Sequence, residues 1–322
     1  MKFIPFILFF MAALFTACSG SQETVNDPAT LPNETPEQQP EQPTSRIYTV
    51  ATFNTHNFFN MTCDSGACNP GDYEKVYNQQ YYGNKLSDTI QSLKQINADV
   101  VMLQEIETES CLQDILVNMP EYTASVFGEI GSNASVDVAL IAKGTFNFIK
   151  KHRADHSFTL PDGSQKKLAR ELIEAHLTLK DSQDEMILFT THFVSKATDP
   201  DGIRRIEEAR TVRSILDNAA SENPNAIIIF GGDLNDFPES DPIQAIISDG
   251  KWQLASQDVP AEKVQTWKTT SLDHLIHNAA IASHYYVAGS TESVCRFPGG
   301  GLGSSDHCAL RAQYQFPPTL TE

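Results

Sequence analysis

Seven short apolar runs, each of strand length and rich in β-branched residues, recur along this chain: Ile47–Phe53, Asp99–Leu103, Val136–Ile141, Leu172–Leu179, Met186–Thr190, Ala226–Phe230 and Leu272–Ile276. Such runs are too short for helices and too apolar for a sheet with one wet face, so they predict strands buried on both faces. Two longer segments carry apolar residues at helical spacing. One has Leu86, Ile90, Leu93 and Ile96; the other has Ile203, Ile206, Ala209, Val212 and Leu216. Strands covered by helices predict a layered α/β domain with mixed sheets. Pro161-Asp162-Gly163 reads as a turn joining Phe158–Leu160 to Lys167–Leu179 in a hairpin. No proline-rich linker or repeat interrupts the chain after Arg46, so residues 46–322 are expected to form a single domain.

The first 45 residues belong to a different class. Lys2 precedes an apolar run from Phe3 to Ala17, shorter than the roughly 20 residues that span a bilayer. Residues 1–17 therefore read as a signal peptide. The run ends Phe15-Thr16-Ala17-Cys18, resembling the lipobox of a bacterial lipoprotein, although Phe15 stands where that pattern usually has leucine. Residues 19–45 hold five prolines and five acidic residues but no Lys or Arg. With almost no large apolar side chains, they are expected to be a disordered tether. A lipid on Cys18 would anchor the domain to a membrane, at the outer membrane or cell surface, and otherwise the protein would be secreted.

Residues 46–322 keep 22 basic and 36 acidic residues, a charge of −14. That balance excludes a protein coating nucleic acid through a broad basic face, but not an enzyme gripping a few phosphates. Besides Cys18 there are Cys63, Cys68, Cys111, Cys295 and Cys308. Export would favour disulfides, and Cys63 and Cys68 bracket a short polar loop that a disulfide can close. Five is odd, so at least one thiol is left over.

Several apolar runs end in polar residues: Phe53 runs into Asn54, Leu103 into Gln104-Glu105, Phe189 into Thr190-Thr191-His192, and Phe230 into Gly231-Gly232-Asp233-Leu234-Asn235. Near the C-terminus stand Leu272-Asp273-His274 and Ser305-Asp306-His307, the latter beside a flexible-looking stretch, Gly299–Gly303. Neighbouring strand residues point to opposite faces, so only Asp273 of the first pair is expected in a site. Hard carboxylates, side-chain amides and two histidines suit Mg²⁺, with Mn²⁺ or Ca²⁺ as alternatives, rather than zinc. The same set suits metal-assisted hydrolysis of a phosphate ester.

Taken in order, Thr52-Phe53-Asn54, Leu103-Gln104-Glu105, Thr191-His192-Phe193, Gly232-Asp233-Leu234-Asn235, Leu272-Asp273-His274 and Ser305-Asp306-His307 resemble the DNase-I-like endonuclease/exonuclease/phosphatase superfamily. The resemblance spans about residues 47–315 and implies a four-layered α/β sandwich, two mixed sheets face to face with helices on both outer faces. It also implies that Glu105 holds a metal ion with Asn54 and Asp306. Asp233 and Asn235 would orient the attacking water and hold the scissile phosphate. His192 and His307 would face that phosphate, His307 being oriented by Asp273. Arg170 stands where members often carry an arginine, as a transition-state clamp. Lys196 is either a contact to a distal phosphate or a solvated lysine. Arg204, Arg205 and Arg210 are expected in intrahelical ion pairs. His56, His152, His156 and His176 have no motif support.

The opening Ala51-Thr52-Phe53-Asn54…Asn57-Phe58-Phe59 and the segment Val194-Ser195-Lys196 resemble predicted extracellular bacterial nucleases. The expected substrate is therefore DNA or RNA, cleaved by a monomer. An alternative is a phosphatase or phosphodiesterase acting on phospholipids or inositol phosphates, for which Phe58, Phe59, Tyr81 and Tyr82 are candidate exposed loop aromatics, ordinary core packing being the other reading of them. A further alternative is a surface lipoprotein that binds without catalysis.

Overall fold

Fourteen strands among the described residues build two six-stranded sheets and a small hairpin. The computed structural model describes residues 45–131 and 136–317. The expected signal peptide, Cys18 and all of the tether except Ser45 lie outside them. The first sheet consists of β1 (Arg46–Phe58), β2 (Val100–Ile106), β3 (Ala124–Phe127), β4 (Asp137–Ala142), β13 (Glu292–Val294) and β14 (Ala309–Phe316), ordered β13-β14-β1-β2-β4-β3. The second consists of β5 (Gly144–Lys151), β8 (Ile173–Leu179), β9 (Glu185–Thr190), β10 (Ile228–Asp233), β11 (Trp252–Leu254) and β12 (Asp273–Asn278), ordered β11-β12-β10-β9-β8-β5. The helices are α1 (Gln79–Ile96), α2 (Glu109–Val117), α3 (Ile203–Glu222), α4 (Asp241–Ile247) and the short α5 (Ala279–Ala282).

Period-two alternation assigns the layers. In β2, Val100 and Met102 join Leu188, Ile229 and Leu275 in a core shared by the two sheets. Val101 and Leu103 point the other way, onto Leu93 and Ile96 of α1 and Leu112 and Ile115 of α2. In the second sheet, Phe189 and Phe230 face Val212 and Leu216 of α3 and Ile243 and Ile246 of α4. The result is the helix–sheet–sheet–helix sandwich expected from the sequence. At Gly231 the two sheets pack without room for a side chain: a Cβ there would meet Met102 Sδ of the first sheet at 2.6 Å and its own ladder partner Leu275 at 2.7 Å.

One expected hairpin divides. Phe158–Thr159 (β6) pairs with Gln165–Lys166 (β7), but the chain then leaves the ladder and re-enters as β8, paired with β5 and β9. A single arm over 167–179 is therefore incorrect. Leu168 and Leu172 bury against the α3 layer between the two strands, and that burial outweighs continued pairing. Phe58 and Phe59, proposed as exposed aromatics, are core residues at 0% and 1% exposure. Tyr81 is exposed, while Tyr82 packs on the α1–α2 core.

Two disulfides form, Cys63–Cys68 and Cys295–Cys308, leaving Cys111 buried as a thiol on α2. Gly299–Gly303 is a packed turn rather than a flexible approach. Leu302 within it is fully buried, and its N–H donates to His307 O at 2.9 Å. Gly301 has φ +77°, and a Cβ there would collide with Ser305 O. No helix among the described residues is long and apolar enough to cross a membrane.

Candidate active site

The parallel pairs β1–β2 and β9–β10 end at one edge of the sandwich, where the antiparallel β12 begins and β14 is about to begin. Apolar side chains hold these strands inside, so the polar residues at their ends collect around a cavity of about 830 Å³. Glu105, Arg170, His192, Asp233, Asn235, Asp306 and His307 line it. Asn54 and Asp273 stand directly behind that lining.

Asp233 is at the centre and is almost fully buried. Its Oδ2 accepts from Asn54 Nδ2 at 2.9 Å and lies 3.5 Å from His192 Nε2 and 3.9 Å from His307 Nε2. Its Oδ1 accepts from the backbone of Asn235 at 2.9 Å. Burial, followed by the charge of Asp273, pushes the Asp233 carboxyl above the usual range.

His307 is oriented from behind, Nδ1 lying 2.8 Å from Asp273 Oδ2. Burial opposes its charge, but Asp273 and then Asp233 overcome that and raise it, so the imidazolium is favoured. Ser305 fixes the loop, donating from Oγ to Asn54 O at 2.7 Å and accepting from His307 N at 3.0 Å.

His192 is in the opposite state. Burial pushes it down to about 4, ahead of the opposing effect of Glu105. Asn235 Nδ2 donates to Phe193 O at 3.0 Å, which fixes the amide orientation, and also to His192 Nε2 at 3.0 Å. The ring is therefore neutral, with its proton on Nδ1.

Glu105 has φ +64° and sits where β2 shifts register. This bulge turns the carboxylate out of the strand toward the cavity. It accepts from Asn54 Nδ2 at 3.0 Å and from Asn57 N at 2.6 Å. Burial would raise its pKa, yet His192, Asn54 and Asn57 outweigh that and keep it ionised. Asp306 is also ionised: burial is outweighed by His56 and His307, which hold it well below the usual range.

Glu105 and Asp306 are thus ionised oxygen donors lining one cavity, a donor set that fits a hard divalent cation. Asn54 turns its Nδ2 to the two carboxylates and uses Oδ1 to accept from His56 N at 2.8 Å, so it braces Glu105. Asp233, Asp273 and His307 each bring one donor atom within 4.8 Å of the others. Asp306 reaches His56 Nδ1 at 2.8 Å and Trp267 Nε1 at 3.3 Å.

Three positions, His56, Arg205 and Lys196, depart from the sequence reading. His56, set aside for lack of a motif, is in the cavity, because the chain takes left-handed turns at His56 and Asn57, φ +59° and +50°. Arg205 does not pair within its helix. It is buried and bonds Asp236 Oδ2 at 3.0 Å and Asp199 O at 2.7 Å. Arg204 and Arg210 do make helical pairs, with Glu208 at 3.2 Å and Glu207 at 2.5 Å. Lys196 is tied to Asp236 and lies over the Phe237 ring. Arg170 lines the cavity while donating to Val136 O and Ala169 O.

His152 and His176 share Glu174, on β8 and away from these residues. His274 points away, to Asp236 O at 2.8 Å. Sequence reasoning missed Lys85. Its buried ammonium donates to Thr55 O at 2.6 Å, His56 O at 2.8 Å and Ser304 O at 3.4 Å, tying the β1 end to the Asp306 loop. Tyr73 and Arg153, also missed, line the cavity from loops that carry no motif.

The profile of the Endonuclease/Exonuclease/phosphatase family matches residues 49–263. No curated protein matches the chain in sequence. Solved structures similar to it include an endonuclease/exonuclease/phosphatase family protein from Bacteroides thetaiotaomicron (TM-score 0.57, 16% identity, 85% of this chain and 99% of that one). The human Nocturnin catalytic domain with bound sulfate is similar at TM-score 0.59 and 15% identity, over 85% and 98%. D. rerio TDP2 complexed with single-strand DNA product is similar at TM-score 0.58 and 15% identity, over 83% and 98%.

Proposed function

This chain belongs to the endonuclease/exonuclease/phosphatase family, and from that premise we propose that it is a metal-dependent phosphodiesterase, an exported nuclease that cleaves DNA or RNA outside the cell. The observation that carries this reading is Asp233, a buried carboxylate facing the cavity between a neutral and a protonated histidine. A buried carboxylate of raised pKa is suited to take a proton from water. His307, held as imidazolium by Asp273, supplies positive charge for a phosphoryl oxygen. Asn235 spends its amide donors on Phe193 O and His192 Nε2, and so holds the neutral His192 ring beside Asp233 without adding charge. Arg170 lines the same cavity and adds a fixed cation.

A divalent cation held by Glu105 and Asp306 would neutralise charge developing on phosphoryl oxygens. A DNA complex of one similar structure, D. rerio TDP2, supports a nucleic-acid substrate. The phospholipid alternative loses part of its support because Phe58 and Phe59 are buried. A non-catalytic binding role gives no reason to retain all nine site residues.

The test is a substrate panel with the purified protein: double-stranded DNA, single-stranded DNA, RNA, phosphatidylcholine vesicles and inositol phosphates, each with Mg²⁺. Turnover of a nucleic acid at least a hundredfold above the others is expected. Turnover confined to a lipid or an inositol phosphate would overturn the nuclease reading. We also place the protein at the bacterial surface through a lipid on Cys18, which a Cys18→Ala variant released into the medium would support and an unchanged membrane fraction would refute.

A further inference from the structure

Two residues beyond Glu105, just past the end of β2, stands a second carboxylate that the catalytic geometry does not use. Glu107 is 3% exposed. Its Oε2 accepts from Asn60 N at 2.6 Å, and its Oε1 has no hydrogen-bond partner. Beside it is Glu74, 1% exposed, whose oxygens accept from Asp64 N at 2.6 Å and Ser65 N at 2.8 Å. Asp64 closes the group at the solvent side, with Oδ2 accepting from Asn60 Nδ2 at 2.8 Å.

One oxygen from each carboxylate lies within 4.8 Å of the others. Among the described residues, no Lys, Arg or His forms an ion pair with any of the three. Two buried carboxylates and a third at their rim, with no cation of the protein's own, are a costly arrangement. A buried oxygen atom without a partner, on a member of such a group, marks where the missing charge belongs.

We propose that Asp64, Glu74 and Glu107 form a calcium site, separate from the catalytic centre, that fixes the segment 60–77. The donors are all oxygen, and the nearby Cys63 and Cys68 are bonded to each other, so no thiolate is offered. Ca²⁺ takes six to eight oxygen ligands at about 2.3–2.6 Å in irregular geometry, so opposite ligands lie roughly 5 Å apart. The observed spread matches that, and exposed Asp64 leaves room for water to complete the shell. Mg²⁺ demands a tighter octahedron that three carboxylates from separated backbone positions fit less well. The site joins the end of β2 to the disulfide loop and to Glu74, whose neighbour Tyr73 forms part of the catalytic cavity wall. Calcium would thereby set the position of that wall.

The experiment titrates CaCl2 calorimetrically into the full-length protein after EDTA stripping and dialysis, and follows protease cleavage within 60–77. The wild type and Glu105→Gln should each retain a Ca²⁺ site, and CaCl2 should slow cleavage in both. Glu107→Gln should weaken this site at least tenfold and abolish the protection. Asp64→Asn changes an exposed side chain and keeps the fold, so it decides the matter if Glu107→Gln does not fold; its affinity should fall several-fold. Isotherms for Asp64→Asn and Glu107→Gln matching wild type would overturn the proposal. So would Ca²⁺ binding that disappears in Glu105→Gln.

Discussion

Asp233 and Asp273 are direct register partners across the antiparallel pair β10–β12, so two buried carboxylates project side by side from the second sheet. Like charges so placed repel, and burial sharpens the repulsion. Asp273 resolves it by binding His307, and the resulting imidazolium lies 3.9 Å from Asp233. The site is therefore a chain of alternating charge built on a sheet register, with Asp233 left to face the cavity.

Asp273 touches no substrate on this account and acts by positioning His307. Asp273→Asn should keep the fold, lower kcat by about tenfold to a hundredfold, and leave KM within about threefold. It should also shift the alkaline limb of the kcat profile to lower pH, because His307 loses the charge that keeps it protonated. An unchanged pH profile would mean that Asp273 is only structural.

Gly301 is needed for its backbone. With φ +77° and Ser305 O against the place of a Cβ, alanine has to displace the turn that carries Asp306 and His307. Gly301→Ala should reduce turnover at least tenfold and destabilise by about 1–3 kcal/mol. Wild-type turnover in a folded Gly301→Ala protein would show that this turn does not set the site.

Cys295–Cys308 closes a loop of 13 residues around the same turn. Chain-entropy arguments assign such a crosslink about 2–3 kcal/mol. The double variant Cys295→Ser, Cys308→Ser should lose about that much in urea unfolding, and its turnover should fall further than its folded fraction does. Cys63→Ser with Cys68→Ser should leave turnover nearer wild type. Equal effects from the two pairs would contradict a specific role for the C-terminal crosslink.

Acid should destabilise the domain partly through His277. This ring is buried between the sheets, beside Tyr286 and Tyr314, and burial pushes it down to about 4 from an ordinary 6.5. A depressed histidine contributes stability that is present above the unfolded pKa and lost as pH falls through the window 6.5 to 4. The loss from this residue alone is about 2 kcal/mol at pH 5. His192 and His274 shift in the same direction. His277→Gln should be less stable at pH 7 but lose about 2 kcal/mol less on going from pH 7 to pH 5. Parallel losses in the two proteins would remove His277 from the account.

The sandwich was legible because buried strands announce themselves as continuous apolar runs, and polar residues at their ends, such as Asn54 and Asp233, are visible where a run stops. Edge strands were not. β5 carries Phe146, Phe148 and Ile149 among exposed polar residues, and β13 has three residues only. Site residues within a motif could be named, whereas those supplied by irregular backbone could not. His56 enters the cavity through two left-handed residues, a conformation its residue type does not advertise. Lys85 looks like any helical lysine until the three carbonyls it caps are brought to it from distant segments. Arg205 was misplaced because i+3 and i+4 spacing offers it a glutamate, while the fold offers it a buried aspartate from β10's end.

The most direct test of the central claim is a plasmid-nicking assay with the purified protein. Supercoiled DNA is incubated with Mg²⁺ plus Ca²⁺, with Mn²⁺, and with EDTA, beside His307→Ala checked for wild-type circular dichroism. We predict nicking with either metal condition, none in EDTA, and at least a hundredfold loss in His307→Ala. A folded His307→Ala protein that nicks at the wild-type rate, or nicking that continues in EDTA, would contradict this account of the site.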